Sequence, residues 1–150
     1  MGFERPDRQV VPVVLKESGG SFEIVEREVP RPGPRHVRIA VEACGVCRTD
    51  LHIHDGELGE PKLPLVLGHE IVGRVEALGP GVAGFAIGER VGVPWLGYTD
   101  GTCRYCRAGR ENLCERAAFT GWDRDGGFAE RMLVRADYAA RLPDGPEDQA

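Results

Sequence analysis

No run of 18 consecutive apolar residues occurs in this 150-residue chain, so hydropathy offers no membrane-spanning helix and no membrane partner is expected. The opening Met1-Gly2-Phe3-Glu4-Arg5-Pro6 carries charges where an export signal needs an apolar core. Its sixth position is proline where a myristoylation signal needs Ser or Thr. The cytoplasm is therefore the expected compartment. Basic residues do not gather into a stripe: 19 Lys and Arg are scattered among 24 Asp and Glu, for a net charge of -5, so nucleic acid is not an expected partner. Internal repeats, low-complexity tracts and long 3.6-residue apolar periods are all lacking, which excludes solenoids, linkers and helical bundles. A composition of 41% hydrophobic and 29% charged residues excludes a disordered chain.

What the chain does have is 21 glycines and 11 prolines, spread rather than clustered, which cut it into short segments. This punctuation points to a mainly β fold in one domain over residues 1–150, large enough to bury roughly 70% of its unfolded surface. Val11 to Leu15 and Phe22 to Val29 flank Ser18-Gly19-Gly20 as a hairpin, and Pro30-Arg31-Pro32-Gly33-Pro34 forms a rigid turn. Val37, Ile39, Val41 and Ala43 alternate with Arg38, Ala40 and Glu42, which predicts a strand with one buried face. Further strands are predicted from Ile71 to Leu78, Arg90 to Pro94 and Phe128 to Val134. A helix of a turn or two begins near Thr49, with Thr49 or Asp50 as its cap. The interval of about 95–120 is polar and rich in Arg and Cys, a loop lobe with little core of its own.

Five cysteines is an odd number, and three of them cluster at Cys103, Cys106 and Cys114. In a reducing compartment that clustering favours metal over disulfides. Cys44 and Cys47 form a C-x-x-C pair, which by itself fits half a zinc site, a redox pair, or two small buried residues. The loop beyond it adds a hydroxyl, a carboxylate and an imidazole at Thr49, Asp50 and His52. A second imidazole and carboxylate adjoin at His69 and Glu70, where a histidine with a purely structural role is the plainer alternative. Gly79-Pro80-Gly81-Val82-Ala83-Gly84 satisfies the G-x-G-x-x-G pattern, but Phe85 to Gly92 does not open a helix, so a turn is predicted there rather than a dinucleotide site.

The string Gly68-His69-Glu70-x2-Gly73-x5-Gly79-x2-Val82, with Cys47 to His52 ahead of it, resembles the signature of the zinc-containing alcohol dehydrogenases of the medium-chain dehydrogenase/reductase superfamily. The resemblance runs on through Val91-Gly92-Val93-Pro94-Trp95 and Asp125-Gly126-Gly127-Phe128-Ala129-Glu130. It implies a GroES-like β-barrel with a cysteine-rich zinc lobe. Cys47 and His69 would be catalytic zinc ligands, with Glu70 beside the metal and Asp50 orienting His69. Thr49 would take the alcohol proton, His52 would pass it to solvent, and Arg48 would contact a cofactor phosphate. Trp95 would line the alcohol pocket, although a core tryptophan is an equal alternative. Cys44 is left as a small buried residue.

In the lobe the family spaces four cysteines as C-x2-C-x2-C-x7-C. Here Asp100 holds the first place, ahead of Cys103, Cys106 and Cys114, so the implied structural zinc site is Cys3Asp. NAD or NADP would bind a Rossmann domain that this stretch does not contain, and a third catalytic ligand would come beyond Ala150. The 150 residues alone are accordingly expected to be inactive on a small alcohol or aldehyde, and to self-associate as a homo-oligomer through an exposed apolar face. Two other classes stay in view: a non-catalytic binding module on the same barrel, which has no use for Cys47, His69 and the relay groups, and a zinc-free reductase of the superfamily, which would lack them.

Overall fold

The computed structural model describes residues 9–59 and 61–143; the expectations about Met1 to Pro6 and Ala150 fall outside them. The chain begins with β1 (Gln9–Val10), β2 (Val13–Leu15), β3 (Phe22–Ile24), β4 (Arg27–Glu28) and the long β5 (His36–Gly45). Helix α1 (Arg48–His54) follows, then β6 (Leu65–Val66), β7 (Glu70–Leu78), β8 (Arg90–Val93) and β9 (Leu96–Tyr98). Helix α2 (Arg104–Arg107) and a 3-10 turn at Glu111–Leu113 lead to β10 (Ala118–Phe119) and β11 (Arg131–Arg135). A second 3-10 turn precedes β12 (Ala140–Arg141).

The strands form a five-stranded antiparallel sheet in the order β11-β5-β7-β8-β12, a three-stranded sheet β3-β2-β6, and the pairs β1-β4 and β9-β10. Val37 and Ile39 of β5 are fully buried with Ile71, Val75, Val91, Val93, Met132 and Val134. The predicted alternation stops at the far end of β5, where a register shift between Val41 and Ala43 leaves Ala43 exposed. A bulge adds a residue to one strand and turns the next side chain to the other face. The hairpin at Ser18 to Gly20 forms, but its second strand splits: β3 pairs with β2, and β4 leaves to pair with β1.

The strand predicted from Phe128 starts instead at Arg131, because the backbone just before it is held elsewhere. Gly127 and Phe128 donate to the carbonyls of Gly68 and Leu67. The glycine-rich turn after β7 leads to β8 without a helix. Among the described residues no helix is long and apolar enough to cross a membrane.

A second core cluster, Leu15, Ile53, Leu65 and Leu67, is joined by Leu63, Trp95, Trp122 and Phe128. It matters for the site because Ile53, fully buried, nails α1 to the three-stranded sheet. Removing that side chain as Ile53→Ala should cost about 2–5 kcal/mol.

Candidate metal centres

Cys47, in extended conformation, is the N-cap of α1, two to three residues ahead of where the sequence suggested the cap to be. Asp50 sits at the third helical position and its Oδ2 accepts the Cys47 N–H at 2.8 Å. Reaching back in this way satisfies one of the donors that every helix start leaves free, so Asp50 acts on the cap without being the cap. Its other oxygen, Oδ1, accepts the Gly68 N–H at 3.1 Å. One carboxylate, only 3% exposed, thus ties the start of α1 to the loop before β7.

That loop carries His69, 6% exposed, whose Nδ1 lies 3.4 Å from Asp50 Oδ1 and makes no hydrogen bond. A buried ring nitrogen facing a carboxylate holds the ring's proton and leaves the lone pair of Nε2 free to bind a metal. Gly68 is needed at φ +95 to make the turn, and a Cβ there would press on Cys44 Sγ and the Phe128 ring, both at 2.7 Å. The result is that Cys47, His69 and Glu70 offer sulfur, nitrogen and oxygen atoms all within 4.8 Å of one another. Cys44 is not in this group; half-buried, it packs on the core of the five-stranded sheet, and burial pushes its thiol up to about 11.

Around the cluster, Arg48 is exposed, while Thr49 and His52 are half-buried on α1. His52 Nδ1 contacts Glu57 Oε2. Glu70 is exposed at the start of β7, its carboxylate lying over Gly45. Trp95 packs edge-on against His69 with centroids 4.9 Å apart and stacks on Phe119 at 4.8 Å. Phe119 was not singled out from the sequence. No motif marks it; only the pairing of β10 with β9 brings it to the site.

The second cluster is in the lobe, where Asp100, Cys103, Cys106 and Cys114 also place one ligand atom each within 4.8 Å of the others. Cys103 is the N-cap of α2 and accepts from the Cys106 N–H, which holds its thiol below the ordinary range. Burial and the neighbouring Cys103 thiol push Cys106 up to about 11. Asp100 Oδ1 accepts the backbone N–H groups of Thr102 and Cys103 at 2.8 and 2.9 Å, which together keep its carboxyl well below the usual carboxylate range. The loop is therefore shaped by backbone bonds to Asp100, and its thiols already converge. All five cysteines are free.

The sequence model of the "Alcohol dehydrogenase GroES-like domain" matches residues 33–144. The chain is 48% identical over 134 residues to the "Probable alcohol dehydrogenase AdhA" of Mycobacterium tuberculosis, covering 86% of this chain and 39% of that protein. Among solved structures, a "putative zinc-binding dehydrogenase" from Sinorhizobium meliloti bound to NADP superposes with a TM-score of 0.82 at 38% identity, over 90% of this chain and 39% of the other. A cobalt- and zinc-bound thermostable alcohol dehydrogenase from Pyrobaculum aerophilum gives 0.84 at 31% identity, over 91% and 42%. The chain thus spans about two-fifths of the length of the relatives it matches. With the family model covering most of its strands and both clusters, the chain belongs to the alcohol dehydrogenase GroES-like domain family.

Proposed function

We propose that this chain is the zinc-carrying, substrate-side domain of an alcohol dehydrogenase that interconverts an alcohol and its aldehyde or ketone with NAD or NADP. The observation that carries the reading is the Cys47, His69 and Glu70 cluster, assembled at the end of a helix and backed by a buried Asp50. Its donors fit zinc, a borderline-soft ion that accepts thiolate sulfur, imidazole nitrogen and carboxylate oxygen alike, and the unsatisfied His69 Nδ1 faces the kind of carboxylate that orients a ligating ring. Zinc in such a site supplies Lewis acidity that polarises a bound oxygen.

The chain's own residues supply the rest. Cys47 and His69 hold the metal, Glu70 lies beside it, and Asp50 fixes the tautomer of His69. The Thr49 hydroxyl takes the proton of the alcohol as it gives up its own, and His52 hands a proton on to solvent. Arg48, exposed at the start of α1, is assigned to a cofactor phosphate. Trp95 and the stacked Phe119 wall the alcohol pocket and favour a primary or aromatic alcohol over a polyol. In the lobe, Asp100, Cys103, Cys106 and Cys114 hold a structural zinc. Val46 is 74% exposed beside Cys47 and Leu51 47% exposed on α1, and this apolar face is assigned to a nucleotide-binding domain or a second copy of the chain.

Zinc analysis of the purified chain tests the reading. Near two equivalents, one of them lost in Cys47→Ser or His69→Ala, support it; near one, kept in those variants, marks a structural zinc in the lobe with the catalytic site incomplete. A chain that binds none would be a binding module on the same fold. Turnover of benzyl alcohol is expected only when the nucleotide-binding domain is present, since hydride transfer needs an acceptor held against the substrate carbon.

A further inference from the structure

The C-terminal end of α1 meets the β2–β3 turn through His54. The His54 carbonyl accepts the Gly19 N–H at 2.6 Å, and in return His54 Nε2 lies 2.8 Å from the Gly20 carbonyl oxygen. On the other side of the ring, Nδ1 lies 2.7 Å from Asp55 Oδ1. The ring also rests on Phe22, with centroids 5.3 Å apart and planes tilted by 32°. Both ring nitrogens therefore point at acceptors that carry no proton. A neutral imidazole satisfies one of them and turns a lone pair on the other; only the doubly protonated ring donates to both.

The remaining surroundings favour the same charge state. The ring is at the C-terminal end of a helix, where the backbone carbonyls favour a cation, and its contact with the Phe22 ring suits a cation as well. The charged groups nearby are few. Asp55 is on the same segment, and on the hairpin Lys16 and Glu23 pair with each other at 2.5 Å while the Glu17 side chain lies against Gly20. His52, two residues back on α1, is paired with Glu57.

We infer that His54 is a positioning residue: as an imidazolium it clasps the end of α1 to the Gly19–Gly20 turn and so holds His52 in place for proton transfer. This rests on the reading of His52 as the proton relay. Ile53 anchors the buried side of the helix, and on the exposed side, among the described residues, the His54 contacts and the approach of Gly56 to Ser18 join the end of α1 to the hairpin turn. The Asp55 carboxylate, followed by the Gly20 carbonyl, raises the His54 pKa above its ordinary 6.5, so the clasp is closed below that raised value and opens as the pH climbs through it. The sign follows from linkage: a raised histidine pKa gives stability that is complete below the unfolded value and lost above the folded one.

The test is NMR of the zinc-loaded 150-residue chain, following the ring nitrogens of His54 and the backbone amides of Gly19, Gly20 and His52 to Asp55 from pH 5 to 9.5. The expected result is a His54 midpoint above 6.5 with both nitrogens protonated below it, and amides of the turn and of α1 that move with that same midpoint. His54→Gln, which keeps a donor for the Gly20 carbonyl, should retain the low-pH amide positions and lose the titration. His54→Ala should speed exchange of the Gly19 amide by roughly tenfold or more, the scale of a lost charged hydrogen bond. A His54 midpoint at or below 6.5, or His52 amide shifts indifferent to it, would overturn the inference. Failure of the zinc-site reading would show separately, as a chain that takes up no zinc at Cys47 and His69 while the clasp still titrates.

Discussion

Asp50 Oδ1 and His69 Nδ1 face each other at 3.4 Å, both side chains nearly sealed from water, while the same carboxylate accepts the N–H groups of Cys47 and Gly68. One acidic side chain therefore sets the positions of both Cys47 and His69. Asp50→Asn keeps the shape but weakens the orientation of the imidazole, and should lower zinc affinity at this pair by about 10 to 100-fold in chelator competition. Asp50→Ala strands the buried Gly68 N–H, at a cost of about 1–3 kcal/mol, together with the part-buried Cys47 N–H, and should appear as a lower urea midpoint. Unchanged affinity in a folded Asp50→Asn variant would remove Asp50 from the site.

Chelation should act on the lobe and spare the sheets. The lobe buries Cys114 but no larger apolar side chain, so its order rests on the metal ligands and on the backbone bonds to Asp100. Removing zinc is expected to raise hydrogen exchange between Thr102 and Cys114 while β5 and β7 keep their protection. Asp100→Ala should free the Thr102 and Cys103 amides even with zinc present. Because the Asp100 carboxyl is held below the ordinary 3.8, its contribution is present above that value and fades only as the pH falls toward its lowered folded value. Exchange at these two amides should thus be flat in its dependence on Asp100 from pH 5 to 8.

Glu76 gives the fold an acid limb. Burial raises its pKa, but Arg131 at 2.8 Å and Arg38 at 2.7 Å outweigh that and bring it below the ordinary 4.5. The stabilisation is therefore present above 4.5 and is lost as the pH drops through the folded value. Glu76→Gln should be less stable than the parent by about 1–3 kcal/mol at neutral pH, with the gap closing in acid. Urea melts at pH 7, 5 and 3 measure it; a gap that widens in acid contradicts the sign.

Gly126→Ala should damage the site from a distance. A Cβ at position 126 would overlap the Gly68 carbonyl oxygen, and neither backbone can yield without breaking the Gly126 N–H bond to Val66 or the Gly127 N–H bond to Gly68. The expected loss is about 1–3 kcal/mol or more, with His69 displaced. Equal zinc uptake and equal melting in the variant would count against this close approach.

Residue types and spacing alone determined much of this protein. The punctuation by glycine and proline, the apolar alternation of Val37 and Ile39, and the spacing of Cys103, Cys106 and Cys114 each report a local constraint, because a strand face or a metal loop is built from neighbours in the chain. The family string around His69 did the same for the domain as a whole. The tertiary structure decided what depends on distant pairing. It made Cys47 the cap of α1 with Asp50 behind it, delayed β11 to Arg131 by pinning Gly127 and Phe128 to the His69 loop, and split β4 from the hairpin to join β1. It also stacked Phe119 on Trp95 and turned both nitrogens of His54 onto acceptors. Apart from the Cys47–Asp50 and His54–Asp55 pairs, which are local, these contacts join residues far apart in sequence, and the free energy that selects them comes from closing a shared core and satisfying buried polar groups, which no local pattern records.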